Sequence, residues 1–446
     1  MKKFVASLGA LSLVSLGLLN SGSALAAQAD QDQDMTSLKA RVAEMEATLA
    51  GMSQQAGRPA QADSAWSKYI RLSGGVNVDA KLVGSLGDNN EQELGGTDAS
   101  TAGRFTGENT KRLGVNDAYV NVDADVNEWF SGRIGVTYNA VSEFYNPMNN
   151  ETDTNAVTGD GDLRINQAYI TMANFDKQPY YLRAGLQYVD FGSYQTNPIH
   201  KSMTQVLTQI DDVALQVGML DASGFNVSVF TLETPFTKVD ETTGDIRNRN
   251  QLNYGGSVGY NGATNGGMKY QAKVGYLSNM VGLDAFNRYA ESNEGNNAGT
   301  DEFSYTDTVS EAYIGAGVES GAFAVGASYV KALRAFNNND GVFYQTDSSA
   351  KPGAADVTAS YSFKYWEDRN NMIGVGYERS WEASFMGLPK SRYFVDYTVG
   401  LYKNTDVTSE WSHDNDYSTN YLQSEGNPAS GRNYNVVSAR LAVNFG

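Results

Sequence analysis

The sequence predicts an all-β membrane protein: a transmembrane antiparallel β-barrel of 16 strands, preceded by a short periplasmic coiled-coil helix. Two observations carry that expectation. From Tyr69 to Phe445, segments of about ten residues alternate apolar and polar side chains, the length a tilted strand needs to cross a bilayer, and each is closed by a break rich in Gly, Asn and Asp. After the first 26 residues, no apolar run is long enough to cross as a helix. Bilayer hydrocarbon offers backbone groups no water, so an all-strand span persists only as a closed barrel.

The elements follow in chain order. Lys2 and Lys3, an apolar run from Phe4 to Leu19 and the small-residue end Ala24-Leu25-Ala26 read as a secretory signal over 1–26. In 27–56, Leu38, Val42, Met45, Leu49 and Met52 recur at the a and d positions of a coiled coil, flanked by Lys39, Arg41, Glu44 and Glu46. Two heptads are marginal alone, so the helix either self-associates beneath a barrel oligomer, as in a homotrimer, or lies as an amphipathic stub against the envelope. Residues 57–66, with Pro59, form a linker, and the barrel occupies 67–446.

The first strand sets Ile70, Leu72, Gly74, Val76, Val78, Ala80 and Leu82 on one face and Tyr69, Arg71, Ser73, Asn77, Asp79 and Lys81 on the other. The last sets Val437, Ala439, Leu441, Val443 and Phe445 against Ser438, Arg440 and Asn444. Between them, seven short turns (near 125–128, 174–178, 221–224, 261–267, 319–321, 367–371 and 403–406) alternate with eight longer segments. These run over about 87–111, 141–162, 192–211, 235–250, 280–307, 334–353, 382–391 and 415–432. That count gives sixteen strands with both termini on the short-turn, periplasmic side. The weakest strand is Val407–His413, whose loss would break the even count or force 14. Trp66, Trp129 and Trp366 fall at the short-turn end and Trp381 and Trp411 toward the outer rim, as two aromatic girdles require.

Composition narrows the function classes. The full chain carries a formal charge of −18, and losing Lys2 and Lys3 with the signal makes the mature protein more acidic, which opposes nucleic-acid binding. With no cysteine there is neither a disulfide framework nor a thiolate metal site. Only His200 and His413 are histidines, and no nucleophile–base grouping, metal-ligand spacing or phosphate-cradling loop accompanies them, so neither an enzyme nor a cofactor is expected. Glu151-Thr152-Asp153 and Asp160-Gly161-Asp162 lack the spacing of a calcium loop.

Strand alternation turns Arg71, Lys81, Arg133, Arg183, Lys269, Lys273, Lys364, Arg392 and Arg440 inward, against Asp79, Asp117, Asp123, Glu311 and Asp396. The expected wall has a cationic surplus that favours anionic solutes, and Arg71, Lys81, Arg133, Arg183, Arg392 and Arg440 are the candidate contacts. The bland reading is that Arg–Asp pairs brace the wall. In the third long loop, Met203, Val206, Leu207 and Ile210 follow helical spacing, a stripe that needs a surface to rest on. Tyr194, His200, Lys201, Met203 and Leu207 are therefore candidates for a constriction or lid over the lumen, the alternative being a loop helix packed on neighbouring loops or on an adjacent protomer.

The signal, the segment Met35-Thr36-Ser37-Leu38-Lys39-Ala40-Arg41-Val42-Ala43-Glu44-Met45-Glu46, the strand Tyr69-Ile70-Arg71-Leu72-Ser73-Gly74, and the core Asn166-Gln167-Ala168-Tyr169-Ile170 with Tyr181-Leu182-Arg183-Ala184-Gly185 through Phe191-Gly192-Ser193-Tyr194 together resemble the LbtU-type siderophore porins. The resemblance implies a plug-less 16-stranded barrel in the bacterial outer membrane that imports a ferric siderophore, of polycarboxylate type in the type member. Two readings stand beside it: a general anion or phosphate diffusion porin, and a non-transporting envelope or adhesion barrel.

Overall fold

The computed structural model describes residues 69–85, 110–139, 162–193, 198–233, 237–239, 246–248, 252–286, 304–337, 340, 343–345, 348–365, 369–424, 427–428 and 431–446. The signal, the helical segment with Leu38, Val42, Met45, Leu49 and Met52, the linker, Trp66, Trp366 and Tyr194 lie outside the described residues.

Sixteen antiparallel strands close one barrel. They are β1 (Ile70–Ser85), β2 (Thr110–Asp125), β3 (Phe130–Asn139), β4 (Asp162–Ala173), β5 (Tyr180–Tyr188), β6 (Asp211–Leu220), β7 (Phe225–Glu233) and β8 (Leu252–Ala263). The circuit continues with β9 (Lys269–Leu277), β10 (Glu311–Ser320), β11 (Phe323–Ala332), β12 (Gly353–Tyr365), β13 (Arg369–Trp381), β14 (Ser391–Tyr402), β15 (Thr405–Asn415) and β16 (Asn433–Phe445). Seven short turns and eight long loops connect them, as the spacing of turn residues predicts, and the doubtful strand near Val407–His413 is β15, paired on both sides.

The barrel is inside-out relative to a water-soluble protein. Leu72, Ile134, Ile170, Val213, Val229, Ile314, Phe323 and Val357 are each more than half exposed on the outer wall, whereas Gln167, Gln216, Asp356, Glu378 and Asp414 are buried within. Apolar exposure that continues around the whole circumference matches hydrocarbon rather than water. No helix of the described residues is long and apolar enough to cross a membrane.

Closure is made by β1 against β16, in register from Gly74 opposite Phe445 to Ser85 opposite Tyr434. Arg440 and Asp79 are register partners there, joined by two hydrogen bonds of 2.8 and 2.7 Å. This is a cross-strand pair of opposite charge fastening the seam. Asn116 and Asn166 are extra residues in β2 and β4, bulges that bend those strands without disturbing the faces of β1 and β3.

One glycine is demanded by the wall itself. Gly185 in β5 has φ +125°, and a Cβ there would stand 2.2 Å from the Ala168 carbonyl oxygen. Gly185→Ala is expected to cost about 1–3 kcal/mol through backbone strain, lowering the urea midpoint of barrel unfolding. An unchanged midpoint would show that β5 relaxes freely there.

Candidate functional site

The third long loop, residues 189–210, leaves the wall at β5 and re-enters at β6. Its described residues 198–210 reach across the lumen. His200 Nε2 lies 3.2 Å from Glu378 on β13 and Nδ1 lies 2.8 Å from Glu410 on β15, while the ring meets Phe394 of β14 edge-on at 4.7 Å. In a ring of sixteen, β13 stands eight strands from β5, the opposite side of the barrel. The Ile199 N–H also donates to Glu410 at 2.5 Å.

Local chemistry shapes the crossing segment. Ser202 caps a single helical turn, α1 (Met203–Val206), its hydroxyl accepting from the Gln205 N–H at 3.1 Å. The helix is shorter than the stripe from Met203 to Ile210 suggests, yet Met203, Leu207 and Ile210 are all buried. They pack in one apolar cluster with Phe230 and Leu232 of the inner wall and with Met280, Leu283, Phe286, Phe336 and Phe385 from other long loops. The stripe thus rests on the wall and on neighbouring loops together. Thr204 donates to Asp356 of β12 at 3.0 Å, and Lys273 pairs with Asp190 at the start of the loop while donating to the Gly192 carbonyl at 3.0 Å.

The wall that receives His200 is acidic. Asp356, Glu378, Arg392 and Asp414 are successive register partners across β12 to β15, and Asp396 faces Glu410. Arg392 is held by Asp414 through bonds of 2.7 and 2.8 Å and approaches Glu378 at 3.7 Å. Both carboxylate oxygens of Asp396 are buried without a hydrogen-bond partner. With a carboxylate at each ring nitrogen, His200 is an imidazolium donating twice. Burial of the ring opposes that charge, but Glu410 and Glu378 outweigh it and push the His200 pKa up to about 9.

Beneath the loop, toward the short turns, lies a cavity of about 650 Å³. Five cations line it (Arg71, Arg133, Lys177, Arg183, Lys273), and so do five carboxylates (Asp123, Asp125, Glu128, Asp176, Asp190). Arg71 pairs with Asp125 at 2.6 Å, Arg133 with Asp123 at 2.6 Å and Lys177 with Glu128 at 2.8 Å. Arg183 makes no carboxylate ion pair among the described residues. Its guanidinium stacks 4.8 Å from the Tyr169 ring and 5.9 Å from the Tyr181 ring, and it donates to Thr171 at 3.3 Å.

The candidates from strand alternation therefore separate. Arg71, Arg133 and Arg183 come together on the cavity; Arg440 sits at the seam and Arg392 under the loop; Lys81 faces inward opposite Ser438. Among the described residues the expected cationic surplus is not present. Asp356, Glu378, Glu410 and Asp414 also face inward, and adjacent-strand acids hold Arg71, Arg133, Arg392 and Arg440. Alternation within β12, β13 and β15 could have found those four acids; their meeting with His200 has no local signal. Of the loop candidates, His200, Met203 and Leu207 hold the crossing in place, and Lys201 is half-buried beside them.

No known family model matches the chain. It is 25% identical over 353 residues to a UPF0422 protein of Coxiella burnetii (strain RSA 493 / Nine Mile phase I), covering 76% of this chain and 69% of that one. It is 24% identical over 348 residues to UPF0422 protein lpl2888 of Legionella pneumophila (strain Lens), covering 74% of this chain but only 61% of the relative. Among solved structures it is similar to Pseudomonas putida OprB, with a TM-score of 0.51 at 12% identity, covering 85% of this chain and 95% of that one. The likeness shows the fold, a porin-like closed barrel.

Proposed function

We propose that the protein is an outer-membrane porin selective for a small carboxylate-bearing solute, and that this solute is a ferric siderophore of the polycarboxylate type implied by the sequence resemblance. One observation carries the solute class: Arg183, free of any carboxylate among the described residues, sits stacked between two tyrosines on a cavity large enough for a small ligand. A guanidinium so placed offers a paired hydrogen-bond fork to a carboxylate. Neutralised neighbours favour selectivity over a broad anion field, since four of the five cavity cations are already paired. The long loops face the exterior, the cavity faces the periplasm, and the barrel assembles as a trimer through its N-terminal segment.

Single-channel conductance in a planar bilayer, titrated with a ferric polycarboxylate siderophore and separately with phosphate, tests this reading. Saturable block by the chelate and not by phosphate is the expected result, with conductance steps in threes for the trimer. Arg183→Ala should weaken the block by roughly 10- to 100-fold, the worth of one charge-assisted contact. Equal indifference to both solutes would make the barrel a general diffusion pore, and absence of conductance would make it an envelope or adhesion barrel.

A further inference from the structure

On the outer wall, at the end of the barrel that carries the long loops, three cations gather where an acidic protein is least expected to place them. Lys331 of β11 and Arg379 of β13 lie on the lipid-facing side, in the same alternation as Val325 and Tyr329 on one strand and Val375 and Tyr377 on the other. Between them β12 contributes Gly353 and Ala355, which leave an open floor: Gly353 is the register partner of both Lys331 and Trp381, and Ala355 of both Tyr329 and Arg379. The stem of Lys331 lies over Gly353, so closely that a Cβ there would be 2.4 Å from Lys331 Cδ. Its ammonium reaches the Lys351 carbonyl at 2.7 Å, and the charge of the Lys351 side chain acts on it from close by.

The aromatic surroundings fix the depth. The Arg379 guanidinium lies 5.5 Å from the Trp381 ring, and Tyr329 meets the same ring edge-on at 6.0 Å. Trp and Tyr mark the headgroup level of a bilayer, so the cations sit beside lipid headgroups rather than in bulk water. None of Lys331, Lys351 and Arg379 forms a carboxylate ion pair among the described residues, in contrast to Arg71, Arg133, Lys273, Arg392 and Arg440. Glu382, the acid nearby, accepts from the Lys351 N–H at 2.7 Å, and its charge offsets part of that of Lys331. One acid against three cations leaves a net positive charge at the headgroup boundary, which an anion there offsets.

We propose that Lys331, Lys351 and Arg379, with Trp381, form a binding site for the phosphate of a phosphorylated glycolipid in the outer leaflet. Arginine and lysine together suit a phosphate monoester, the first as a planar fork and the second as a point charge, while Tyr329 and Trp381 cover the adjoining apolar segment. The leaflet assignment rests on the outer-membrane reading above; the site itself rests on the outward geometry.

Native mass spectrometry of the full chain, refolded with diphosphoryl lipid A or with phosphatidylethanolamine, tests it. The expected result is retention of lipid A in preference to phosphatidylethanolamine, lost at least 10-fold in Lys331→Gln/Lys351→Gln/Arg379→Gln and kept in Lys364→Gln/Lys403→Gln, which removes two cations at the other end of the barrel. Displacement by millimolar inorganic phosphate would show a simple anion site and overturn the lipid assignment, as would equal retention by the triple variant. Conductance of the same samples keeps the two readings apart. A conducting channel that ignores lipid A removes only the lipid site, and a lipid-retaining barrel that does not conduct removes only the porin.

Discussion

His200→Ala is expected to raise single-channel conductance and its fluctuation. The imidazolium bridges Glu378 and Glu410 at 3.2 and 2.8 Å, the tie between the third long loop and the far wall. Removing one partner of a buried charge group costs about 3–5 kcal/mol, because the carboxylates left behind repel each other with no cation between them. A loss of that size moves a two-state loop from almost wholly closed to substantially open. The apolar cluster around Met203 and Leu207 still holds the base of the loop, so the crossing segment should loosen while the barrel remains folded. Conductance equal to that of the parent would show that His200 does not hold the loop closed.

The same tie makes a pH limb. The folded pKa of His200, about 9, stands above its ordinary value of 6.5. The stabilisation is therefore fully present below about pH 6.5 and is lost as pH rises through about 9. Conductance of the parent channel should climb between pH 8 and 10, in the manner of a single titration, and His200→Gln should be flat across that window.

Arg392→Ala is expected to be among the most destabilising single changes in the wall. Arg392 is buried between Asp414 and Glu378, both fully buried, and its removal strands two carboxylates, a loss of about 3–5 kcal/mol. Arg71→Ala breaks a pair of similar length, 2.6 Å, but one whose arginine side chain is half exposed, and about 1 kcal/mol or less is expected there. Urea unfolding of the two variants in the same lipid measures the contrast. Equal losses would show that burial does not set the value of these pairs.

Much of the fold was legible because a membrane barrel writes its two solvents into every strand. The alternation of Ile70, Leu72 and Val76 with Arg71, Ser73 and Asn77 is a local signal, and so are the turns that number the strands. β15 illustrates the point: Val407 to His413 is a weak strand by composition, yet the turn near Lys403 and the long break after Asn415 already bound it. The site was less legible. Arg71, Arg133 and Arg183 face inward as expected, but their partners lie on adjacent strands, so the charge of the lumen depends on pairing between elements and not on any one of them.

His200 shows where local reading ends. In the sequence it stands beside Ser202, too thin a basis for catalysis; in the fold Ser202 caps α1 and His200 meets Glu378 and Glu410, 178 and 210 residues away. By itself the sequence determined the class of fold, the number of strands and which face of each meets lipid, because those follow from a period of two and from turn chemistry within a few residues. Only the tertiary structure decided which charges neutralise one another, that the third long loop reaches across the lumen, and that Arg183 has no carboxylate partner among the described residues. The reason is that ring closure brings β5 and β13 face to face across the lumen, and no pattern along the chain encodes a distance across a ring.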